Sequence, residues 1–178
     1  MATQVILLNG ASSAGKTSLS RALQRRLPRP WLTFGVDSLI AAMPPQLEGA
    51  PEGLMIYADG RVTTGPAWQA LEADWRRALG AMARSGVRLV IDEVMFGGAE
   101  AQAQWNAALA GLSVLWVAVT CDPAEMARRE AARGDRVAGM SALQAGIVHG
   151  GVVYDLEVDT SALSPEECAK LVLERVLA

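Results

Sequence analysis

The chain has few of the residues that build metal centres and disulfide frameworks: two cysteines, Cys121 and Cys168, and one histidine, His149, in 178 residues. A structural zinc site needs about four Cys or His ligands, so such a site is excluded by count, as is a disulfide framework. A hydrolase with a Ser-His-Asp triad would have to use His149. Two lone thiols are typical of a reducing compartment, and we therefore expect a cytoplasmic protein.

Basic charge and long apolar runs are also scarce. The 16 Lys and Arg residues are outnumbered by 19 Asp and Glu residues, which gives a formal charge of −3 at pH 7. Nucleic acids and anionic membranes attract basic surfaces, so neither is expected as a partner. The uncharged stretch 101–121 changes midway from an Ala/Gln-rich pattern to a β-branched run, which predicts a helix and then a strand rather than a membrane span. The N-terminus shows no signal peptide pattern.

Apolar residues make up 51% of the chain, enough for one core, and short apolar runs alternate with amphipathic segments. The apolar runs predict five strands, at 4–8, 31–36, 87–91, 114–120 and 153–158. The amphipathic segments predict seven helices, at 16–27, 38–43, 66–84, 98–110, 123–133, 140–149 and 165–177. This alternation predicts a single α/β domain with a doubly wound parallel sheet.

Residues 44–65 interrupt the alternation with several prolines and glycines. Asp59-Gly60 between two short runs predicts a hairpin over 54–64. The segment is too short to carry its own core, so we interpret it as an excursion that covers a substrate. The helix that follows carries an apolar stripe expected to lie in the core, formed by Trp68, Leu71, Trp75, Leu79 and Met82.

The N-terminal run is followed by a complete G-x-x-x-x-G-K-[ST] motif, and a helical pattern comes next. In this motif, backbone N–H groups and the helix N-terminus hold phosphate oxygens. The lysine bridges the β- and γ-phosphates, and the hydroxyl ligates Mg²⁺. The motif therefore predicts a phosphate loop that binds ATP and Mg²⁺, formed by Gly10, Ala11, Ser12, Ser13, Ala14, Gly15, Lys16 and Thr17.

Three acidic residues stand at the predicted ends of strands. Asp92 has the position of a Walker B aspartate, which holds Mg²⁺. Glu93 either orients a water molecule, contacts an acceptor or lies in a solvated turn. Asp37 either takes a proton from an acceptor hydroxyl or caps the helix that begins at Ser38. Spacing alone does not separate the two interpretations of Asp37.

Arginines crowd the segment 128–136. Arginines over a γ-phosphate neutralise the charge that develops in phosphoryl transfer, so this segment is a candidate lid. The alternative is pairing with acidic neighbours along a solvated helix. The residues concerned are Arg128, Arg129, Arg133 and Arg136, and the acidic neighbours are Glu125, Glu130 and Asp135.

Several segments together resemble the chloramphenicol phosphotransferase family of P-loop kinases. They are 8–17 (LNGASSAGKT), 31–40 (WLTFGVDSLI) with 42–44 (AMP), 114–117 (VLWV), 133–140 (RGDRVAGM) and 158–160 (VDT). The resemblance implies a single P-loop kinase domain with a five-stranded sheet in the order 2-3-1-4-5. It also implies that Asp37 is the general base and that Arg133 and Arg136 act from a lid at about 128–140. Together with Lys16 of the phosphate loop, these are the predicted catalytic residues.

The same resemblance implies an ATP- and Mg²⁺-dependent phosphotransferase that acts on the 3-hydroxyl of chloramphenicol and so confers antibiotic resistance. An apolar acceptor needs an apolar pocket, and the candidate lining residues are Ser38, Met43, Met55, Val94 and Phe96. The alternative for the four apolar residues of this set is that they pack in the core and do not line a pocket. Rival functions are a toxin-like kinase of nucleotide sugars and a nucleotide-binding ATPase or switch. The sequence leaves open whether the protein forms a homo-oligomer.

Overall fold

The computed structural model describes residues 2–133, 137 and 139–177. Within these residues, seven strands are present: β1 (Val5–Asn9), β2 (Leu32–Gly35), β3 (Leu54–Ile56), β4 (Val62–Thr64), β5 (Leu89–Glu93), β6 (Val114–Thr120) and β7 (Leu156–Asp159). The same part of the chain contains seven α-helices: α1 (Lys16–Arg26), α2 (Val36–Ala42), α3 (Pro66–Arg84), α4 (Ala99–Ala108), α5 (Pro123–Arg133), α6 (Met140–Ala145) and α7 (Pro165–Leu177). A short 3-10 helix covers Pro45–Leu47.

Five strands form one parallel sheet in the order β2-β5-β1-β6-β7. Numbered along the chain without the hairpin strands, this is the predicted order 2-3-1-4-5, which is confirmed. The strands β3 and β4 pair antiparallel and form the predicted hairpin. The order reverses at β1, so ligands are expected at the carboxyl ends of β1 and its neighbours.

The core lies on both faces of the sheet, as alternation along β1 shows. Ile6 and Leu8 belong to a cluster with residues of α1 and α7. Val5 and Leu7 belong to a second cluster with Leu79 of α3 and residues of α4. Because successive strand side chains point to opposite faces, a strand covered on both sides must be apolar throughout, and β1 is.

A third, smaller cluster joins the hairpin to the domain. It contains Leu39, Met43, Leu54 and Trp68, from α2, the hairpin and α3. The apolar stripe of α3 lies in the core as expected, with Trp68 and Leu79 buried and the other three residues partly buried. The excursion therefore shares a core with the domain and does not form a separate unit.

The predicted boundaries of four elements agree with the structure, namely those of β6, α3, α5 and α7. The others differ by a few residues. The helix predicted to reach residue 149 ends at Ala145, and turns around Gly146, Gly150 and Gly151 follow it. The last strand accordingly begins at Leu156 instead of Val153. Within the described residues, no helix combines the length and the apolar character needed to cross a membrane.

Candidate active site

The loop between β1 and α1 lies at the point where the sheet order reverses. Gly15 has a φ of 94°, and α1 begins directly after it at Lys16. The Lys16 Nζ atom donates to the Ala11 carbonyl oxygen at 2.9 Å and lies 3.6 Å from Asp92 Oδ1. Leu8 of β1 is in register with Asp92 of β5, so the loop and this carboxylate meet at one edge of the sheet.

Thr17 and Asp92, the two predicted magnesium ligands, lie side by side. The Thr17 hydroxyl donates to Asp92 Oδ2 at 3.0 Å. Mg²⁺ usually binds one or two carboxylates together with substrate phosphates and water, so this donor set fits the ion. Among the described residues, no group of three His, Cys, Asp or Glu side chains is arranged to hold a metal ion. Thr17 and Asp92 are the residues that would hold a magnesium ion.

Two side chains from distant segments hold the phosphate loop in place. The Thr160 hydroxyl donates to the Ala14 carbonyl at 2.7 Å, and the Ser12 N–H donates to Gln144 Oε1 at 2.6 Å. Thr160 belongs to one of the segments on which the family resemblance depends, so the sequence contained a signal for it. Gln144 belongs to no recognisable motif, and sequence reasoning missed it.

The arginines of α5 have different environments. Arg128 pairs with Glu125 at 2.7 Å and is 72% exposed, as the pairing alternative predicts. Arg129 also donates to Glu125, and its guanidinium contacts both Thr160 Oγ1, at 3.0 Å, and the Thr160 carbonyl, at 2.8 Å. Arg128 and Arg129 together lower the pKa of Glu125 to about 2. Arg129 is thus fixed beside the phosphate loop.

The C-terminal part of α5 reaches the cleft and is tied to α6. Arg133 is the last residue of α5 and lines the cleft, whereas Arg136 lies outside the described residues. Glu130 is 5% exposed, and its carboxylate accepts backbone N–H groups of Gly139 and Ser141 at 2.8 and 2.9 Å. Glu130, considered in the sequence as a partner for arginines, therefore fixes the start of α6.

A cleft of about 1500 Å³ extends from the phosphate loop to the hairpin. Of the predicted pocket residues, Ser38, Val94 and Phe96 line it. Met43 instead packs in the third core cluster, because it directly follows α2 and lies against the hairpin and α3. Met55 is absent from the described lining, since alternation along β3 turns Leu54 and Ile56 toward the cleft.

Asp37 borders the cleft from the first turn of α2 and is exposed. The alternative in which Asp37 caps a helix that begins at Ser38 is wrong, because α2 begins at Val36 and its N-cap residue is Gly35. The strand β2 likewise ends at Gly35 and not at Asp37. The Gly35 N–H donates to Ser38 Oγ at 3.2 Å, which fixes the start of the helix.

Glu93 faces the side of the sheet opposite to Asp92, because the two residues are consecutive in β5. It is 6% exposed and borders the cleft with Glu72 and Arg76 of α3, whose side chains are 3.4 Å apart. Burial raises the pKa of Glu93 to about 8, the negative charges of Glu72 and Asp92 add to this effect, and Arg76 and Lys16 oppose it. The solvated turn considered for Glu93 is therefore wrong.

Comparison with known proteins agrees with this geometry. The sequence profile described as "chloramphenicol phosphotransferase-like protein" matches residues 3–177. A Mycobacterium tuberculosis protein provisionally named an O-phosphotransferase is 35% identical, over 94% of this chain and 79% of its own length. The chain belongs to the chloramphenicol phosphotransferase-like family. This membership supports phosphotransferase activity on a small molecule.

Solved structures show the same fold in P-loop kinases and related proteins. An APS kinase from M. tuberculosis superposes with a TM-score of 0.67 at 18% identity, over 99% of each chain. A sugar kinase from Janibacter sp. HTCC2649 gives 0.70 at 13% identity, over 97% of this chain and 93% of that one. The tunicamycin resistance protein of Deinococcus radiodurans gives 0.64 at 20% identity, over 98% and 96%. At these identities the likeness concerns the fold alone.

Proposed function

We propose that this member of the chloramphenicol phosphotransferase-like family uses ATP and Mg²⁺ to phosphorylate a hydroxyl of a small, uncharged and largely apolar acceptor. Chloramphenicol, through its 3-hydroxyl, is the acceptor to test first. The observation that carries the proposal is one continuous cleft. It joins Lys16, Thr17 and Asp92 at one end to apolar walls at the other, and Asp37 borders it.

The phosphate end of the cleft accounts for nucleotide binding. Backbone N–H groups of the loop and the N-terminus of α1 favour anionic oxygens. Lys16 adds a positive charge at the same place, and Arg133 lines the cleft from α5. Thr17 and Asp92 would hold Mg²⁺, which would neutralise charge on the nucleotide.

The acceptor end has apolar walls with a few polar groups. Leu54, Ile56, Val62, Trp68 and Phe96 contribute apolar surface. Its charged groups are balanced, because Arg76 lies 3.4 Å from Glu72 and the raised pKa of Glu93 keeps that buried carboxyl mostly protonated near pH 7. An acceptor that carried a carboxylate or phosphate group would find the guanidinium of Arg76 already paired. This end of the cleft therefore favours a neutral acceptor, which argues against the nucleotide-sugar alternative.

Asp37 is the group we assign to proton removal. It accepts the proton of the acceptor hydroxyl as the hydroxyl oxygen bonds to the γ-phosphorus and the bond from that phosphorus to the β,γ-bridging oxygen breaks, releasing ADP. A carboxylate at this place needs access to the acceptor, and Asp37 is exposed at the edge of the cleft.

The proposal is tested by incubating the protein with ATP, Mg²⁺ and chloramphenicol and following both ADP release and the mass of the acceptor. We expect an acceptor heavier by one phosphoryl group, and no product from chloramphenicol with its 3-hydroxyl acetylated. Asp37→Asn should lower kcat by about 10²–10⁴-fold with little change in ATP affinity or Tm. ADP release that is equally fast without an acceptor would favour the ATPase alternative. Equal turnover by Asp37→Asn would remove Asp37 from the mechanism.

A further inference from the structure

Arg76 is a buried arginine that lines the cleft from α3. The residue is 8% exposed and borders the cleft together with Glu72 and Glu93. Because Glu72, Arg76 and Gly80 are spaced four residues apart, they share one face of the helix. At Gly80 this face meets α4, since a Cβ atom there would lie 2.3 Å from the carbonyl oxygen of Ala108. Arg76 therefore lies one helical turn before the contact between the two helices.

The guanidinium of Arg76 has fewer partners than it can bind. Its one direct polar contact in the described part of the chain is with Glu72, where Nη1 lies 3.4 Å from Oε2. Charge-assisted hydrogen bonds are shorter, about 2.7–2.9 Å, so Glu72 balances the charge of Arg76 but leaves its N–H donors unfilled. Arg129, by contrast, donates from all three of its nitrogens, to Glu125 and Thr160. Buried polar groups are normally hydrogen-bonded, so the donors of Arg76 require a further partner.

Glu93 lies within electrostatic reach of Arg76 but does not supply that partner. The positive charge of Arg76 opposes the rise in the pKa of Glu93, yet no hydrogen bond joins the two side chains among the residues that the structure describes. Near pH 7 the positive Arg76, the negative Glu72 and the mostly protonated Glu93 are neutral as a group. Such a group has N–H donors to offer but no net charge to attract an anion. Lys16 also opposes the rise in the pKa of Glu93, so the group lies near the phosphate end of the cleft.

We propose that Arg76 is a specificity-determining residue that donates hydrogen bonds to an uncharged oxygen of the acceptor, such as a carbonyl or nitro oxygen. This inference rests on the proposed function and adds a polar contact on α3 to the apolar walls of the cleft. Arg76 and Asp37 line the same cleft, so the acceptor presents its reacting hydroxyl to Asp37 and a second oxygen to Arg76. A site whose buried donors depend on the substrate discriminates against analogues that lack the matching group.

The test measures transfer to chloramphenicol, which carries amide and nitro oxygens, at saturating ATP and Mg²⁺. Arg76→Met keeps a long side chain but removes the donors. A hydrogen bond from a charged group corresponds to about a 10- to 100-fold change in affinity, so kcat/KM for the acceptor should fall by that factor, mainly through KM. The Kd of a non-hydrolysable ATP analogue should not change. Arg76→Lys keeps the charge without the planar fork and should recover only part of the loss.

The matched control is Arg26→Met, which removes an exposed arginine paired with Glu166 at 2.8 Å and should leave kcat/KM unchanged. A structural role for Arg76 is tested with the double variant Glu72→Gln/Arg76→Met. Replacing a buried ion pair by uncharged groups of similar size is often neutral or stabilising, so the Tm of the double variant should equal or exceed that of the wild type.

Two outcomes would overturn the inference. One is an acceptor kcat/KM in Arg76→Met equal to that of the wild type. The other is a lower Tm of the double variant together with an unchanged acceptor KM, which would make Arg76 a structural residue. Failure of the proposed function looks different, because the wild type itself would then transfer no phosphate to chloramphenicol. In that case the Tm of the double variant decides: a lower value overturns the inference, and an equal or higher value supports a role of Arg76 in binding.

Discussion

Glu93 provides a quantitative test of the electrostatics of the cleft, because its carboxyl is buried beside other charges. The perturbation is Glu93→Gln, which keeps the shape and hydrogen-bonding capacity but cannot ionise. Burial raises the pKa of Glu93 from an ordinary value near 4.5 to about 8 in the folded protein. The folded chain therefore binds a proton that the unfolded chain has already lost between these two pH values.

The sign of the effect follows from proton linkage. Stability that depends on a protonated Glu93 is fully present below pH 4.5 and is lost as the pH rises through 8. Within this window the free energy of unfolding falls by about 1.4 kcal/mol per pH unit. Between pH 6 and pH 9, the free energy of unfolding of the wild type should therefore fall by about 3 kcal/mol relative to that of Glu93→Gln. This is equivalent to a decrease of roughly 6–12 °C in Tm.

The assay is urea unfolding at pH 6, 7, 8 and 9, with EDTA present and nucleotide absent so that neither magnesium nor phosphate alters the site. The quantity compared is the difference between wild type and Glu93→Gln at each pH, because other titrating groups cancel in this difference. The exposed Glu174→Gln is the matched control, and its difference from wild type should stay constant. If the difference in unfolding free energy between wild type and Glu93→Gln is equally independent of pH, Glu93 is not a buried neutral carboxyl.

Three further predictions concern the cleft and its walls. Lys16→Met should abolish transfer in a coupled ADP assay while the fold persists by circular dichroism, and measurable turnover would contradict its phosphate role. Arg133→Ala should lower kcat by about 10³–10⁵-fold and change the KM for ATP less, whereas an effect on KM alone would make Arg133 a ground-state binder. Gly60→Ala should destabilise the fold by about 1–3 kcal/mol more than Gly49→Ala in urea unfolding, because a Cβ at Gly60 would lie 2.9 Å from backbone atoms of Met140 and one at Gly49 meets nothing within 4 Å. Equal losses of unfolding free energy in the two variants would show that the hairpin moves at Gly60 to accommodate the Cβ atom.

The sequence predicts which residues meet at the phosphate end of the candidate site, because the signals are local or follow from the sheet. The spacing of Gly10, Gly15 and Lys16 identifies the loop, and an apolar run identifies the strand that ends near Asp92. Once these two strands are neighbours in a parallel sheet, their carboxyl ends must meet. The 3.0 Å contact between Thr17 and Asp92 is the structural consequence.

The remaining features depend on packing that no local pattern encodes. Gln144 and Ser12 are 132 residues apart in the chain, and their hydrogen bond exists only because α6 lies against the phosphate loop. Met43 and Phe96 are both large and apolar, yet one is buried in the core and the other is 40% exposed at the cleft. Hydrophobicity alone cannot separate these cases, since Met43 becomes buried only when α2, the hairpin and α3 pack together.

The short helix α6 connects the two ends of the cleft. Met140 and Gln144 are four residues apart and therefore lie on the same face of this helix. Gln144 holds the phosphate loop at Ser12, and the backbone of Met140 packs against Gly60 in the turn of the hairpin. Glu130 fixes the start of α6 to α5, the helix that ends at Arg133. The turn of the hairpin and the phosphate loop therefore both contact α6, at positions one helical turn apart.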